Sequence, residues 1–306
     1  MGAYLAEHTA EPRRAICDYE GTSYRARFWE GQGREYEDSA ERIALRRLLP
    51  PEGDRLLELG AAFGRLADLY AGYDQVILLD YAKSGLQEAQ ARLGRSERFL
   101  YVVADLYRLP FAPYTCDTVV TVRVLHHLVD APAAFLQVAS VLRPGGAYVL
   151  EYANKRHLKA IVRYLLRKQT WSPFEPEPYE FAALNFDFHP TWMAHELARA
   201  GFRVDAELAV SHFRHPWLKR LGSPQRLATL DGLLQKAGAV CKLAPSIFLR
   251  GRTSGHGAAA AGRLFRCPVC LGQDLEHAVS GLICRTCEVV WEVSDGIYDF
   301  KTPRRL

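Results

Sequence analysis

Arg55-Leu-Leu-Glu-Leu-Gly-Ala-Ala-Phe-Gly64 decides the fold of this 306-residue chain. Leu56, Leu57 and Leu59 make a short apolar run of the kind that fills a buried parallel strand. Gly60 and Gly64 enclose a tight turn, and residues 65–70 continue at helical spacing, so the stretch predicts strand, turn and helix. Such a unit brings backbone N–H groups and a helix N-terminus up to one small ligand. Glu58, just before the turn, is a carboxylate at the end of an apolar strand. Burial there demands a partner, and a ligand amine would serve. The turn is not the dinucleotide fingerprint, which asks for glycines at 62 and 65, where Ala62 and Arg65 stand.

Outward from this unit the pattern repeats. Residues 75–80 form an apolar run ending in Asp80, 84–93 are helical, and 99–105 form a second run ending in Asp105. A fourth strand is expected at 117–124, a helix at 133–142 stopped by Arg143-Pro-Gly-Gly146, and a fifth strand at 147–152. Strands alternating with helices specify a doubly wound, mostly parallel α/β sheet. Ligands of such sheets sit outside the C-terminal strand ends, where Glu58, Asp80 and Asp105 all fall. Upstream, Asp38 with Glu41 has the form of a capping box for a helix reaching Leu49, which Pro50-Pro51 stops. Downstream, a helix at 191–200, a strand at 202–213, helical sequence at 216–239 and a strand at 246–250 complete the sheet.

Glu58-x-Gly60, Asp80, Ala104-Asp105, Leu109-Pro-Phe111, Asp117, His126-His127 and Leu142-Arg-Pro-Gly-Gly146 follow one another in the order and spacing of a known family. Over about 50–210 the chain resembles class I S-adenosylmethionine-dependent methyltransferases. Their acidic-x-Gly-x-Gly-x-Gly loop is matched by 58–64, with Ala62 at the middle glycine. The resemblance implies a seven-stranded Rossmann-like sheet that binds S-adenosylmethionine. It implies that Gly60, Ala61 and Gly64 lie against the methionine end and that Glu58 meets its ammonium. Asp80 would accept both ribose hydroxyls, a carboxylate's two oxygens matching a vicinal diol. Asp105, after Ala104, would take the adenine amino group, with Tyr81 and Leu106 flanking the ring; Arg123 and Val124 would border the sulfonium. The sulfonium is itself a good leaving group, so alignment for in-line displacement supplies most of the rate and a general base is optional. The candidates for a base or a substrate-side group are His126, His127 and His189, for which packing, cofactor contact and helix capping stand as alternatives. Thr121-Val-Arg-Val124 occupies the place of the Asn/Asp-Pro-Pro-aromatic motif, which counts against exocyclic base-amine methylation.

Composition bounds the remainder. With 49% apolar and 24% charged residues and a net charge of +4, the chain is ordinary for a globular protein and too weakly basic to argue for nucleic acid. No run approaches the ~18 apolar residues of a membrane span. Residues 1–8 lack the signal-peptide pattern, so a cytoplasmic location is expected. The expected organisation is an aromatic arm at 1–34, a methyltransferase-like domain at 35–252 with insertions at 153–190 and 214–245, a linker at 253–262 and a module at 263–306. The arm, with Tyr19, Tyr24, Phe28 and Trp29, either packs over the core or closes a pocket as a lid. Between 155 and 168 there are six basic and no acidic side chains, interleaved with an apolar stripe of Leu158, Ile161, Val162, Leu165 and Leu166. That pattern fits a core-packed helix with a solvated face, or a surface for phosphate, RNA or membrane. Residues 151–252 carry sixteen Lys/Arg against nine Asp/Glu, so the positive excess lies on the expected substrate side.

Cys267-Pro-Val-Cys270 and Cys284-Arg-Thr-Cys287 are two knuckles that together make a closed tetrahedral four-sulfur site, the donor set of a structural Zn2+. Cys17, Cys116 and Cys241 stand alone, a usage suited to a reducing compartment. With Val289-Val-Trp-Glu-Val-Ser-Asp-Gly-Ile-Tyr298 behind them, the knuckles resemble the zinc-ribbon activator subunits that pair with RNA and protein methyltransferases. Six basic against six acidic side chains make the module a poor RNA-binding surface, so it is expected to brace the catalytic domain or dock a protein partner. The resulting expectation is transfer of a methyl group to a small-molecule or lipid acceptor. An RNA acceptor is the alternative, and a non-catalytic S-adenosylmethionine-binding scaffold, suggested by Ala62, is the reading of another class.

Overall fold

A computed structural model describes residues 14–22, 24–220, 222–254, 257 and 262–306. Its first half runs α1 (Tyr24–Phe28), α2 (Glu35–Leu48), β1 (Gly53–Leu59), β2 (Tyr73–Asp80), α3 (Lys83–Leu93), β3 (Phe99–Val103), β4 (Cys116–Thr121), α4 (Ala131–Val141) and β5 (Leu142–Ala153). Then come α5 (Leu158–Leu165), β6 (Tyr179–Ala182), β7 (Asn185–Asp187), α6 (Pro190–Arg199), β8 (Phe202–Val210), α7 (Pro216–Lys219), α8 (Pro224–Cys241) and β9 (Ser246–Thr253). Five short strands follow: β10 (Leu275–Ala278), β11 (Gly281–Cys284), β12 (Val289–Ser294), β13 (Ile297–Asp299) and β14 (Arg304–Arg305).

The expected seven strands are present in the order β3-β2-β1-β4-β5-β9-β8, parallel except for β9, which runs antiparallel to β5 and β8. Consecutive residues of β1 and β2 feed opposite faces. Leu57, Leu59, Ile77 and Leu79 join one core with α4 and α6, while Leu56, Val76 and Leu78 join the other with α2, α3 and α8. Both faces of a parallel sheet are thereby covered, which is why its strands are continuously apolar.

Two local expectations are corrected. Residues 65–70 do not form an α-helix: turns lead into a single 3-10 turn at Ala67–Tyr70. β2 begins at Tyr73, which leaves no length for a stable helical nucleus. α2 begins at Glu35, so Asp38 and Glu41 are not a capping box; both instead receive Arg65, and Asp38 also receives Arg42 at 2.7 Å. Within the 153–190 insertion, β6 and β7 pair as a hairpin.

The C-terminal module does not stand apart. β13 pairs in parallel with β3, placing Ile297, Tyr298 and Asp299 opposite Tyr101, Val102 and Val103, and so extends the sheet to twelve strands. Phe265 stacks on Phe111 at 5.8 Å and packs on Tyr298 and Phe300. The Arg266 guanidinium donates to the Leu109 carbonyl at 3.2 Å. Of the expected 253–262 linker, Thr253 belongs to β9; residues 255, 256 and 258–261 lie outside the described set, as do 1–13 of the N-terminal arm.

Candidate active site

Three carboxylates end three adjacent strands. Glu58, near the end of β1, is buried, and its Oε2 has no hydrogen-bond partner among the described residues. The Tyr70 hydroxyl lies beside it but is equally unsatisfied by geometry. Burial pushes the Glu58 carboxyl up to about 8, against the pull of Arg65. Asp80 closes β2, and each of its oxygens takes one backbone N–H, Ala62 at 2.8 Å and Ala82 at 2.9 Å. Each oxygen keeps a further lone pair for a hydroxyl donor. Burial raises the Asp80 carboxyl, and those amides oppose the rise. Asp105 follows β3 and accepts from the Tyr107 N–H at 2.8 Å.

The turn after β1 is shaped to admit a ligand. Gly60 has φ of 74°, and a Cβ there would run into the Val124 side chain. Ala62 adopts φ of 45°, the left-handed region a glycine takes freely, and still delivers its N–H to Asp80.

The predicted residues Glu58, Gly60, Ala61, Asp80, Tyr81 and Ala104 line one chamber, and Asp105, Leu106 and Arg123 line it too. Gly64 does not: it turns the chain at φ of 70°, where a Cβ would press on Leu93, Arg92 and Ala89 of α3. Arg123 borders the chamber, but its guanidinium is drawn away to Glu41 of α2, Nε donating at 2.8 Å. Burial would raise the Glu41 carboxyl, and Arg123 and Arg65 together hold it below the usual range. The Trp29 ring lies over both guanidiniums, 3.8 Å from Arg65 and 5.1 Å from Arg123.

The chamber is roofed by Ile16, Cys17, Tyr19, Tyr24 and Trp29 of the arm. A second chamber adjoins it, with Tyr19, Tyr24, Arg123 and His127 common to both walls. Arg34, His126, Glu151, Phe181, Asp187 and Arg214 also face this second space. His127 Nδ1 lies 3.0 Å from the Leu184 carbonyl and Nε2 lies 3.2 Å from the Tyr19 hydroxyl. The carbonyl can only accept, so Nδ1 carries the proton and Nε2 accepts from Tyr19. Burial, His127 and Arg123 push His126 down to about 3, leaving it neutral and a weak base. Asp187 is pushed up to about 6 by burial, with Arg214 opposing. His189 lies outside both chambers: it is buried, and its Nδ1 caps α6 by accepting from the Thr191 N–H.

The four knuckle cysteines converge. All four Sγ atoms lie within 4.8 Å of one another, with Cys267 and Cys287 3.9 Å apart and Cys270 and Cys284 3.6 Å apart. Four Zn–S bonds of about 2.3 Å in a tetrahedron require sulfurs about 3.8 Å apart, so the donor set fits.

The arm over the chamber was one of two sequence expectations; what the motifs missed was the second chamber and the residues shared by both walls. Tyr19 touching His127 spans 108 positions, and its only sequence trace was the aromatic density of the arm.

Residues 57–150 match the family model described as a methyltransferase domain. The O-methyltransferase cnsE of Penicillium expansum is 28% identical over 152 residues, 46% of this chain and 54% of that protein. The 27-O-demethylrifamycin SV methyltransferase of Amycolatopsis mediterranei is 29% identical over 131 residues, 40% of this chain and 48% of that protein. The chain thus spans about half the length of the curated relatives it matches. A chain from the complex of the Haloferax volcanii Trm112 methyltransferase activator with a methyltransferase superposes with a TM-score of 0.52. That superposition covers 77% of this chain and 97% of the other at 17% identity, a likeness of fold.

Proposed function

We propose that this chain is an S-adenosylmethionine-dependent methyltransferase acting on a small molecule or lipid. The observation that carries the proposal is the chamber itself. Buried Glu58 with no partner for Oε2 among the described residues, Asp80 with one backbone N–H on each oxygen, and Asp105 stand at three strand ends, with a second chamber opening beside them. An ammonium at Glu58, a vicinal diol at Asp80 and an aromatic amine at Asp105 are the groups this row would select. Bound there, S-adenosylmethionine supplies an electrophilic methyl on a sulfonium. The chain's own part is to orient it: Gly60 admits the ligand against the backbone, and Tyr24 and Trp29 exclude water from above. The Tyr19 hydroxyl, bonded to His127 Nε2 in the shared wall, is the group through which an acceptor hydroxyl could pass its proton to His127, whose tautomer the Leu184 carbonyl fixes. The arm then serves as a lid, because its aromatic residues form the wall between the chambers.

The second chamber sets Phe181, Tyr19 and Tyr24 beside Arg34, Asp187 and Arg214, a walled space with aromatic and charged groups that favours a small acceptor over a polynucleotide. Ala62 does not argue for a lost activity, since it holds the loop conformation and the Asp80 contact. The four cysteines are assigned to one structural Zn2+, with no coordination position left open for chemistry.

The deciding experiment follows labelled methyl from S-adenosylmethionine into cell extract separated into RNA, protein and solvent-extractable fractions. Label is expected in the extractable fraction; label confined to RNA would replace the acceptor class, and binding without transfer would leave a scaffold. Asp80→Ala is expected to weaken cofactor binding by about 2–3 kcal/mol through lost charge-assisted hydrogen bonds. An unchanged dissociation constant would remove the ribose assignment.

A further inference from the structure

α5 is built inside out. Leu158, Val162, Leu165 and Leu166 lie on one side of the helix or its immediate end, and they are 54%, 45%, 69% and 60% exposed. Ala160, on the opposite side, is alone among the described residues of α5 in being buried. A helix with so strong a stripe normally turns it to the core. This one is held the wrong way round at its N-terminal end. The Leu158 N–H donates to the Leu243 carbonyl at 2.9 Å, and the His157 ring caps the Ala160 N–H. Lys155, a member of the basic run, is buried instead, its ammonium donating to the Glu175 and Glu177 carbonyls. Lys159, Arg163, Arg167 and Lys168 remain exposed beside the apolar stripe. Phe174, also exposed, packs its ring on Tyr164 at 6.0 Å, on the Ala160 side of the helix and apart from the leucine stripe.

We infer that α5 with Leu166 is the face by which this protein lies on an anionic lipid bilayer, its leucines in the acyl boundary and its Lys/Arg among the headgroups. Charge decides the occupant. A second copy of the chain meeting this face about a twofold axis would set one basic row against another, with no acidic side chain between 155 and 168 to relieve it. A nucleic acid would satisfy the basic row but leave four branched apolar side chains in water. An anionic interface satisfies both, and each exposed Lys/Arg there multiplies partitioning by about fivefold. This inference goes beyond the methyl-transfer reading and does not need it, since attachment requires neither cofactor nor turnover.

The test is sedimentation of the full chain with vesicles of equal phosphatidylglycerol and phosphatidylcholine, and with phosphatidylcholine alone. Binding to the anionic vesicles at least tenfold tighter than to the neutral ones, falling with salt, is expected. Leu165→Glu/Leu166→Glu should abolish it, and Arg163→Ala/Arg167→Ala should weaken it by about twenty-five-fold. Both pairs lie on the surface, away from the two chambers, so cofactor binding should be unchanged. Leu165→Trp gives an independent readout, a blue shift of its fluorescence on anionic vesicles. The inference is overturned by equal or absent binding to the two vesicle types. It is also overturned by a dimer in solution that the Leu165/Leu166 pair disperses, or by RNA binding that the arginine pair removes and the leucine pair does not.

Discussion

At the scale of single residues, Glu58 holds the most free energy in question. Its carboxyl is pushed up to about 8 by burial, so at neutral pH it is largely protonated before ligand arrives. The groups that face it are Arg65, Tyr70, Asp80 and Arg92. A folded-state value above the ordinary 4.5 adds stability that is complete below 4.5 and is lost as pH rises through 8. The unliganded protein should therefore lose stability across that window by up to about 1.4 kcal/mol per pH unit, and Glu58→Gln should flatten the slope. An arriving ammonium selects the ionised form, so cofactor binding at pH 7 should release up to one proton. Calorimetric titration in two buffers of different ionisation enthalpy measures that proton; identical heats would show Glu58 to be ionised already or remote from the ammonium. The position of this carboxylate was legible in the sequence because a strand end on an apolar run is a local signal. Its lack of a partner was not, and neither was the departure of the Arg123 guanidinium to Glu41, 82 positions away. His189 shows the same limit: a histidine before a proline-started helix caps it, and only its distance from both chambers decides between capping and chemistry.

At the scale of elements, the sequence was most informative where the period was clean and least where tertiary contacts chose the orientation. β1 to β5 and the helices α3 and α4 follow directly from apolar runs and Gly or Pro stops, whereas the short β1–β2 connection does not. The stripe of α5 was equally plain, yet which way it faced depended on Leu243 and His157, which hydropathy does not register. The packing of α2 on α8 was also silent, because its organiser is a buried carboxylate. Asp231 of α8 is fully buried and accepts from the Tyr36 hydroxyl of α2 at 2.7 Å, the His212 N–H at 2.7 Å and the Gln235 amide at 3.2 Å. The Tyr36 hydroxyl in turn accepts from the Phe213 N–H, so one carboxylate ties α2, α8 and the end of β8 together. Asp231→Ala would strand the tyrosine hydroxyl and a backbone donor in the core. We expect a loss of about 3 kcal/mol in urea denaturation with Asp231→Asn costing less, since an amide can still accept. A loss below about 1 kcal/mol for the alanine variant would mean that water replaces the carboxylate and that the seam is held by apolar packing alone.

At the scale of the whole molecule, the four-cysteine module and the chamber at the strand ends share one sheet. Parallel pairing between β3 and β13 joins segments almost two hundred residues apart and leaves no periodic trace, so the sequence separated what the structure unites. The consequence is mechanical. Lys301, two residues past β13, sets its ammonium 3.7 Å above the Tyr81 ring and 3.2 Å from Asp18 of the arm. Tyr81 lines the chamber next to Asp80, so the module steadies both the floor and the roof of the site. Five short strands cannot form a sufficient core alone, and their folding should depend on the metal held by the cysteines. Purified protein should carry one zinc per chain. Stripping it with a chelator, or introducing Cys267→Ser/Cys287→Ser, should release β13, expose the β3 edge and weaken cofactor binding. Lys301→Ala should reproduce the weakening, about two- to fivefold for a lost cation–π contact of about 0.5–1 kcal/mol, while the zinc content stays at one. If zinc-free protein binds cofactor as tightly as the intact chain, the module braces nothing. If Lys301→Ala is silent while zinc removal is not, the coupling runs through the β3–β13 pairing and not through Tyr81. A sheet edge that loses its neighbour also becomes a template for other strands, so zinc removal should bring concentration-dependent aggregation that light scattering can follow.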